Sequence, residues 1–279
     1  MVNRSYAEVD VFSVEPYFGN PLAVVLESEG LGTEAMQRFA KWTNLSETTF
    51  LLPPTQPGAD YRVRIFTGTQ EFPFAGHPTL GSAAAWLRAG GVPARDGVVI
   101  QECGAGLVPV RVDGERLAFK APPLTRYEPL TEELLVRIAA ALGVPRERLL
   151  DASWIVNGPP WIGVRLASAA EVLALDPDPV ALGELCVGVV GPHAPGAEAE
   201  VEVRAFVGED PVFEDPVTGS LNAGLAHWLL DTGVMSGGYV AAQGTAIGFR
   251  GRVHLSVDDD GEIWVGGDVT SCVSGTVEL

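Results

Sequence analysis

Three short polar motifs in this 279-residue sequence contain side chains able to move a proton or hold an anion. Glu47 lies in NLSETTF, between a predicted helix and the apolar run of residues 49–52. Burial among apolar neighbours would raise the pKa of its carboxyl group toward the range in which one group both accepts and donates a proton. Spacing alone does not separate this role from that of a capping or surface glutamate.

His77, in FAGHPTLG, is one of four histidines and follows Gly76 at a predicted helix start. An imidazole there would donate a hydrogen bond to a substrate oxygen or nitrogen. The alternative is a structural histidine that bonds a nearby backbone carbonyl. The other histidines, His193, His227 and His254, show no spacing typical of a metal site, so no metal is expected.

The motif EDPVTGS contains Asp215, Gly219 and Ser220 and is typical of a turn that leads into a helix. Asp and Ser commonly cap helices, which is one interpretation of both residues. In the functional interpretation Asp215 binds a substrate amine or hydroxyl. Ser220 and Gly219 would then bind an anion.

The elements that carry these motifs form a weak internal repeat, Tyr61 to Gly91 and Val201 to Gly233. Each segment passes from a strand-like stretch through a Gly and Pro turn into an apolar helix with one Trp. Two aromatic pairs set the register: Phe66 with Phe206 (206 − 66 = 140) and Trp86 with Trp228 (228 − 86 = 142). The pattern favours duplication with a drift of two residues in the turn, although a chance match of two strand-turn-helix units is the alternative.

Short strands and few helices surround the repeat. Thr33 to Trp42 and Thr131 to Leu142 are predicted helices, each opened by an N-cap threonine, and Gly143 ends the second. The proline-rich stretch Ala121 to Pro129 is the predicted linker between two α/β domains that enclose a cleft. The predicted strands outside the repeat are Glu8 to Phe12, Leu22 to Leu26, Thr48 to Leu52, Gly97 to Gln101, Leu107 to Val112, Arg252 to Val257 and Ile263 to Val265.

Helix starts near Gly76 and Gly219 suit a carboxylate ligand. The first N–H groups of a helix lack intrahelical partners, and the helix dipole places about half a positive charge there. Two such starts facing one cleft would hold a small acid without needing arginine.

Composition excludes several classes of protein. The formal charge of −18 opposes nucleic acid binding, and no apolar stretch is long enough to span a membrane. The start shows no secretory signal, and the three cysteines, Cys103, Cys186 and Cys272, lack a CxxC pattern, so a cytoplasmic protein is expected. The sequence also lacks GxSxG and the usual nucleotide-binding glycine motifs.

Several blocks together resemble the phenazine-biosynthesis isomerase family (PhzF-like), in the expected order over almost the whole chain. The resemblance implies an α+β fold of the diaminopimelate-epimerase-like superfamily, with two pseudo-symmetric domains, each a β-barrel-like sheet around a central helix, and the active site in the interdomain cleft. We place these domains at residues 1–123 and 124–279, with the last strand packing back on the first. The blocks are VDVFSVEPYFGNPLAVVL, NLSETTFLLPP, YRVRIFTGTQEFPFAGHPTLG, ECGAGLVPV, FEDPVTGSLNAGLAHWL and YVAAQGTAIGFRGRV.

The same resemblance implies cofactor-free catalysis in a homodimer acting on a small carboxylate-bearing metabolite. Glu47 would be the acid/base that moves a proton between substrate carbons, with His77 and Asp215 orienting polar groups of the substrate. The binding residues at the helix starts would be Gly76, Gly219 and Ser220.

The resemblance also separates two chemistries. Racemase relatives use a cysteine in each turn, whereas the corresponding turns here carry Ala75 and Asp215. Single-carboxylate proton transfer is therefore preferred to a cysteine-dependent racemase, for which only Cys103 is worth checking. A non-catalytic protein that binds small acids is the other alternative. One departure from the family is Phe249 in place of an arginine, with Arg250 beside it.

Overall fold

A computed structural model describes residues 2–208 and 213–279, and the chain divides into two compact units. The first unit consists of Met1–Lys120 and Gly266–Leu279, and the second consists of Ala121–Val265. Part of the predicted turn in the second half of the repeat, residues 209–212, lies outside the described residues.

The sheet of the first unit closes on itself. Hydrogen-bonded pairing runs β17–β1–β2–β3–β4–β6–β7–β8 and returns to β17, with parallel pairs at β2–β3 and β4–β6. The short strand β5 pairs with β4. The strands are β1 (Asn3–Val11), β2 (Asn20–Val25), β3 (Thr48–Leu52), β4 (Tyr61–Phe66), β5 (Glu71–Phe72), β6 (Val98–Cys103), β7 (Gly106–Asp113), β8 (Arg116–Lys120) and, from Gly266 onward, β17 (Ile263–Glu278).

This barrel surrounds helix α2 (Gly76–Arg88), which contacts six of its strands. Its first ten residues, 76–85, are all buried, so this part of the helix presents no face to solvent. Gly81 allows close packing, because a Cβ there would lie 2.5 Å from a methyl group of Leu22. The other helix of the unit, α1 (Thr33–Thr43), packs against β3 and β4 through residues that include Phe39.

The second unit repeats the pattern. Its strands pair in the order β9–β10–β11–β12–β13–β15–β16, with parallel pairs at β11–β12 and β13–β15, and the short strand β14 pairs with β13. The strands are β9 (Arg126–Pro129), β10 (Asp151–Val156), β11 (Trp161–Arg165), β12 (Cys186–Pro192), β13 (Val201–Val207), β14 (Glu214–Asp215), β15 (Tyr239–Gln243) and β16 (Gly251–Val257).

Helix α6 (Gly219–Asp231) is the buried helix of this unit and contacts β10, β11 and β16. Gly224 allows it to approach β10, because a Cβ there would lie 2.6 Å from the backbone oxygen of Ile155. Three shorter helices pack on the same unit and complete an apolar core that includes Ile138 and Phe206. They are α3 (Glu132–Ala141), α4 (Ala169–Leu173) and α5 (Pro179–Leu182).

The α+β class and the repeated design are confirmed, but the predicted register drift is wrong. Both buried helices are 13 residues long, and their starts at Gly76 and Gly219 lie 143 positions apart (219 − 76). The strand residues Phe66 and Phe206 lie 140 positions apart, so the register drifts by three residues between strand and helix. Trp86 and Trp228 occupy neighbouring helical positions in this register rather than the same one.

Local predictions had mixed outcomes. Thr131 caps α3 by accepting from the Leu134 N–H, as predicted. Thr33 does not cap α1, because the N-cap is Gly32 and the Thr33 hydroxyl accepts from Arg64. The predicted strand at Ile263 continues to Glu278, and the end of the predicted linker forms β9.

No helix in the described ranges is long and apolar enough to cross a membrane.

The contact between α6 and β10 gives a stability prediction. Gly224→Ala should lower the free energy of unfolding by about 1–3 kcal/mol, because the added Cβ meets a backbone oxygen that cannot rotate away. Helix propensity alone predicts the opposite sign, a gain of about 1 kcal/mol. Urea denaturation measures the change. Gly237→Ala is the control, since a Cβ at Gly237 meets nothing within 4 Å; equal stability of the two variants would contradict the packing argument.

Candidate functional site

Glu47 is the last residue of a four-residue connection, residues 44–47, that is fixed at both ends. Helix α1 stops because its C-cap, Asn44, adopts the left-handed conformation with φ 58°, and β3 begins at Thr48. The Thr48 hydroxyl shares a 2.9 Å hydrogen bond with the hydroxyl of Thr43, the last residue of α1. The carboxylate therefore projects from a short, constrained segment.

A buried hydrogen bond ties this segment to helix α2. The Ser82 hydroxyl of α2 donates to the Thr49 hydroxyl of β3 over 2.9 Å. Both side chains are fully buried. This contact helps to place His77, the second residue of α2, so that its Nε2 lies 3.5 Å from Oε2 of Glu47. The structure thus brings together two of the predicted site residues.

Burial sets the charge of the imidazole. The His77 side chain is 7% exposed and that of Glu47 is 14% exposed. Desolvation lowers the pKa of His77 to about 3, so the ring is neutral near pH 7. Among the residues that the structure describes, Nε2 of His77 has no hydrogen-bond partner. A neutral ring nitrogen beside a carboxylate is therefore available to a substrate.

The start of α6 is held by a buried amide. Oε1 of Gln243 accepts from the Thr218 N–H at 3.1 Å and from the Asn222 amide at 2.8 Å. Its Nε2 donates to the Thr218 hydroxyl at 2.9 Å and to the Asp215 carbonyl at 3.0 Å. Since the Thr218 oxygen accepts from Gln243, its own proton goes to Oδ2 of Asp215, at 2.6 Å. One oxygen of Asp215 is thereby fixed as an acceptor.

Ser220, the second residue of α6, is held by two donors from neighbouring strands. The Trp161 indole N–H donates to its Oγ at 3.0 Å, and the Asn157 amide donates to its backbone oxygen at 3.0 Å. The position matches that of His77 in the repeat (220 − 77 = 143). Each buried helix therefore carries a polar side chain at its second residue.

A duplicated ion pair precedes each helix. Arg64 of β4 makes a two-bond contact with Glu71 of β5 at 2.7 and 2.6 Å, and Arg204 of β13 does the same with Glu214 of β14 at 2.9 and 2.7 Å. Each guanidinium also lies within about 5 Å of a phenylalanine ring on its own strand. These clamps fix the short strands that lead toward α2 and α6.

Two of the sequence interpretations need correction. Neither Asp215 nor Ser220 caps α6, whose N-cap is Thr218, and the Thr218 side chain bonds Asp215 rather than a helix N–H. The residues directly before the two helices are Ala75 and Thr218, and Asp215 lies three residues before Thr218 in the second turn. None of these three residues is a thiol. Gly76 and Gly219 are the first helical residues, as predicted.

Sequence reasoning missed Gln243, Thr218, Trp161 and Asn157. One signal was available, because Gln243 and Gln101 lie 142 positions apart (243 − 101), close to the register of the repeat. Gln101 plays a related part in the first unit, where it donates to Thr79 of α2 at 2.9 Å. Within residues 2–208 and 213–279, no group of three or more His, Cys, Asp or Glu side chains could hold a metal ion.

The chain is similar over nearly its whole length to a described family and to named proteins. Residues 9–275 match the family described as phenazine biosynthesis-like protein. Trans-2,3-dihydro-3-hydroxyanthranilate isomerase of Pseudomonas aeruginosa is 36% identical over 263 residues, which cover 92% of this chain and 91% of that protein. Antisense-enhancing sequence 1 of Schizosaccharomyces pombe is 36% identical over 295 residues, 99% of each chain.

The fold is likewise similar to a solved structure. The crystal structure of a phenazine biosynthesis protein of the PhzF family from Enterococcus faecalis superposes with a TM-score of 0.83 and 25% identity, covering 100% of both chains.

The low pKa of His77 predicts a pH dependence of stability. Its folded pKa of about 3 lies below the ordinary 6.5, so below pH 6.5 the unfolded chain binds the proton that the folded chain excludes. The contribution of the neutral ring to the free energy of unfolding is therefore complete above pH 6.5 and is lost as the pH falls toward 3. At about pH 5 the free energy of unfolding should be lower by about 2 kcal/mol.

Urea denaturation at about pH 7.5 and about pH 5 tests this on wild type and His77→Gln, which has no titrating ring. Wild type should lose more stability between the two pH values. Parallel losses would show that His77 is not held neutral by the fold.

The Arg204–Glu214 clamp predicts an unequal response of buried and exposed ion pairs. Arg204→Met should lower the free energy of unfolding, measured by urea denaturation, by about 3–5 kcal/mol, because it leaves the buried Glu214 carboxylate without its partner. Arg148→Met, which breaks the more exposed pair with Glu171, should cost at most about 1 kcal/mol. The double variant Arg204→Met/Glu214→Leu should recover much of the loss. Equal costs for the two single variants would contradict a structural role of the clamp.

Proposed function

The chain belongs to the phenazine biosynthesis-like (PhzF) family and is an isomerase, and from this premise we propose that it moves a proton on a small carboxylate-bearing substrate through Glu47. The observation that carries the proposal is the pair of Glu47 and His77, whose reactive atoms lie 3.5 Å apart at the start of a buried helix. A proton shift needs a group that accepts and then returns a proton, and a partly buried carboxylate suits both steps.

The proposed reaction balances without any other reagent. The Glu47 carboxylate removes a proton from one carbon, and the electron pair of the broken C–H bond shifts a double bond of the substrate. The same carboxylic acid then returns the proton to another carbon. Because no electrons or atoms are gained or lost, neither an oxidant nor a cofactor is required.

His77 would stabilise the negative charge that develops on the substrate. A neutral imidazole can donate one hydrogen bond to an oxygen or nitrogen without carrying a charge of its own. It also leaves Glu47 a stronger base than an imidazolium neighbour would, since a positive charge at 3.5 Å favours the ionised carboxylate.

We assign recognition of the substrate's polar groups to the helix starts and to Asp215. The first turns, GHPT after Ala75 and GSLN after Thr218, contain no acidic residue, so the positive ends of α2 and α6 are not neutralised locally. The N–H groups near Gly76 and those near Gly219, the latter with the hydroxyl of Ser220, would each suit an anionic group of the substrate. Asp215, fixed as an acceptor by Thr218, would bind an amine or hydroxyl.

The substrate class follows from these groups and from the relative. The Pseudomonas aeruginosa protein is named for the isomerisation of trans-2,3-dihydro-3-hydroxyanthranilate, a ring carboxylate with an amino and a hydroxyl group. We propose that this chain acts on a small acid that carries an amino or hydroxyl group.

Cys103 gives no support to a thiol-dependent racemase. Burial raises the pKa of its thiol, which opposes formation of the thiolate that such an enzyme requires. Its side chain is 8% exposed at the end of β6.

Proton exchange in D₂O, followed by NMR, tests the proposal with wild type and Glu47→Gln. The ligands are trans-2,3-dihydro-3-hydroxyanthranilate and a panel of small amino and hydroxy acids. Wild type should place deuterium on carbon or shift a double bond in at least one of them. Glu47→Gln should slow the reaction about 10²- to 10⁴-fold, because the amide cannot accept the proton.

Glu115→Gln makes the same chemical change at an exposed carboxylate and should leave the rate unaltered. Exchange at the wild-type rate in Glu47→Gln would refute the assignment of Glu47. Ligands that bind wild type without any exchange would instead support a protein that only binds small acids.

A further inference from the structure

The hydroxyl of Ser220 has one defined partner. Trp161, the first residue of β11, donates its indole N–H to Ser220 Oγ at 3.0 Å, and its side chain is buried. In the part of the chain that the structure describes, the Ser220 hydroxyl donates no hydrogen bond. Ser220 itself is only partly buried, unlike Gly219 before it.

The chemistry of the indole decides what this hydroxyl can do. An indole N–H is a donor and never an acceptor, so Ser220 must present an oxygen lone pair to Trp161. The Ser220 proton therefore points away from Trp161. Donation by the indole also polarises the hydroxyl and strengthens it as a donor, because linked hydrogen bonds reinforce one another.

We infer that Trp161 is a specificity-determining positioning residue, which acts through Ser220 to make its hydroxyl a donor and thereby selects a carboxylate over a neutral group of the same shape. The inference rests on the proposed role of Ser220 in binding the substrate. A carboxylate has only acceptors, so it accepts the Ser220 proton. A carboxamide of the same shape carries one acceptor atom where a carboxylate carries two, and no negative charge, so it accepts the Ser220 proton in only one of its two orientations and more weakly.

The serine is also fixed along the helix. The Asn157 amide, just after β10, donates to the Ser220 backbone oxygen at 3.0 Å. Asn157 begins the connection between β10 and β11 and holds the Ser220 backbone, and Trp161, which follows that connection, holds the Ser220 side chain. This arrangement orients the hydroxyl before a ligand arrives.

The test compares binding of 3-hydroxyanthranilate with that of 3-hydroxyanthranilamide by calorimetry. The carboxylate is the aromatic counterpart of the compound in the relative's name, and the amide differs only in the group presented to Ser220. Wild type should prefer the carboxylate. Trp161→Phe keeps the aromatic packing but removes the N–H, and it should weaken carboxylate binding roughly tenfold and narrow the preference for carboxylate over amide.

Turnover gives a second signature. With any substrate that shows proton exchange, Trp161→Phe should raise KM and leave kcat nearly unchanged, because it weakens ground-state and transition-state binding alike. Trp264→Phe is the matched control, since it removes an indole N–H that donates to Asp258 at 2.8 Å in the same unit. It should change neither the preference nor KM.

Ser220→Ala separates the role of Ser220 from that of Trp161. If Ser220→Ala leaves carboxylate affinity unchanged, the place of Ser220 in the proposed function is wrong. If Ser220→Ala weakens binding while Trp161→Phe retains the wild-type preference, only the role of Trp161 is overturned. Adding Trp161→Phe to Ser220→Ala should cause no further loss, because Trp161 acts through the hydroxyl.

Wild-type protein provides a readout that does not depend on the folding of Trp161→Phe. The ¹⁵N–¹H resonance of the Trp161 indole, identified by its displacement in Ser220→Ala, should shift on saturation with 3-hydroxyanthranilate, because the accepting oxygen changes its own hydrogen bonding. A resonance that stays in place at saturation would overturn the inference.

Discussion

A helix that is buried from its first residue cannot leave its first N–H groups to bulk water, and both units are built around this constraint. In the second unit the Gln243 side chain accepts from the Thr218 N–H and braces Asn222 one turn further on. In the first unit Gln101 donates to Thr79, which lies on the first turn of α2. An unpaired buried amide group costs about 1–3 kcal/mol, so the bond from the Thr218 N–H to Gln243 favours burial of α6. Gln101 braces a hydroxyl of α2 rather than a backbone N–H. In the proposed function, other N–H groups at the helix starts bind the ligand.

The same burial determines the electrostatics. It holds His77 neutral, and it leaves the start of α2 electropositive without a formal charge beside Glu47. Arg64 and Arg204, on the strands that lead toward α2 and α6, are paired with Glu71 and Glu214. An overall charge of −18 is compatible with anion binding for this reason: the proposed binding groups are local dipoles, whose influence falls off within a turn of the helix.

Elements governed by local signals were predictable from the sequence. Strand β3 follows from its short apolar run, and the helix starts at Gly76 and Gly219 follow from Gly and Pro turns. The partners of Ser220 were not predictable, because the bond from Trp161 joins residues 59 positions apart and depends on the pairing of β10 with β11. Thr33 failed as a cap for the opposite reason: a tertiary partner, Arg64, engages the hydroxyl that local rules assign to the helix.

One position of the repeated design carries two different chemistries in the two units. His77 and Ser220 are the second residues of equivalent helices, yet the first faces a carboxylate at 3.5 Å and the second is held by an indole N–H. A neutral imidazole that neither bonds nor charges its neighbour preserves the basicity of Glu47. A hydroxyl that accepts from Trp161 directs its proton away from the indole and keeps it for a ligand. In the proposed function the first unit transfers the proton and the second recognises an anion. This difference follows from the partner that each unit supplies to the second residue of its buried helix.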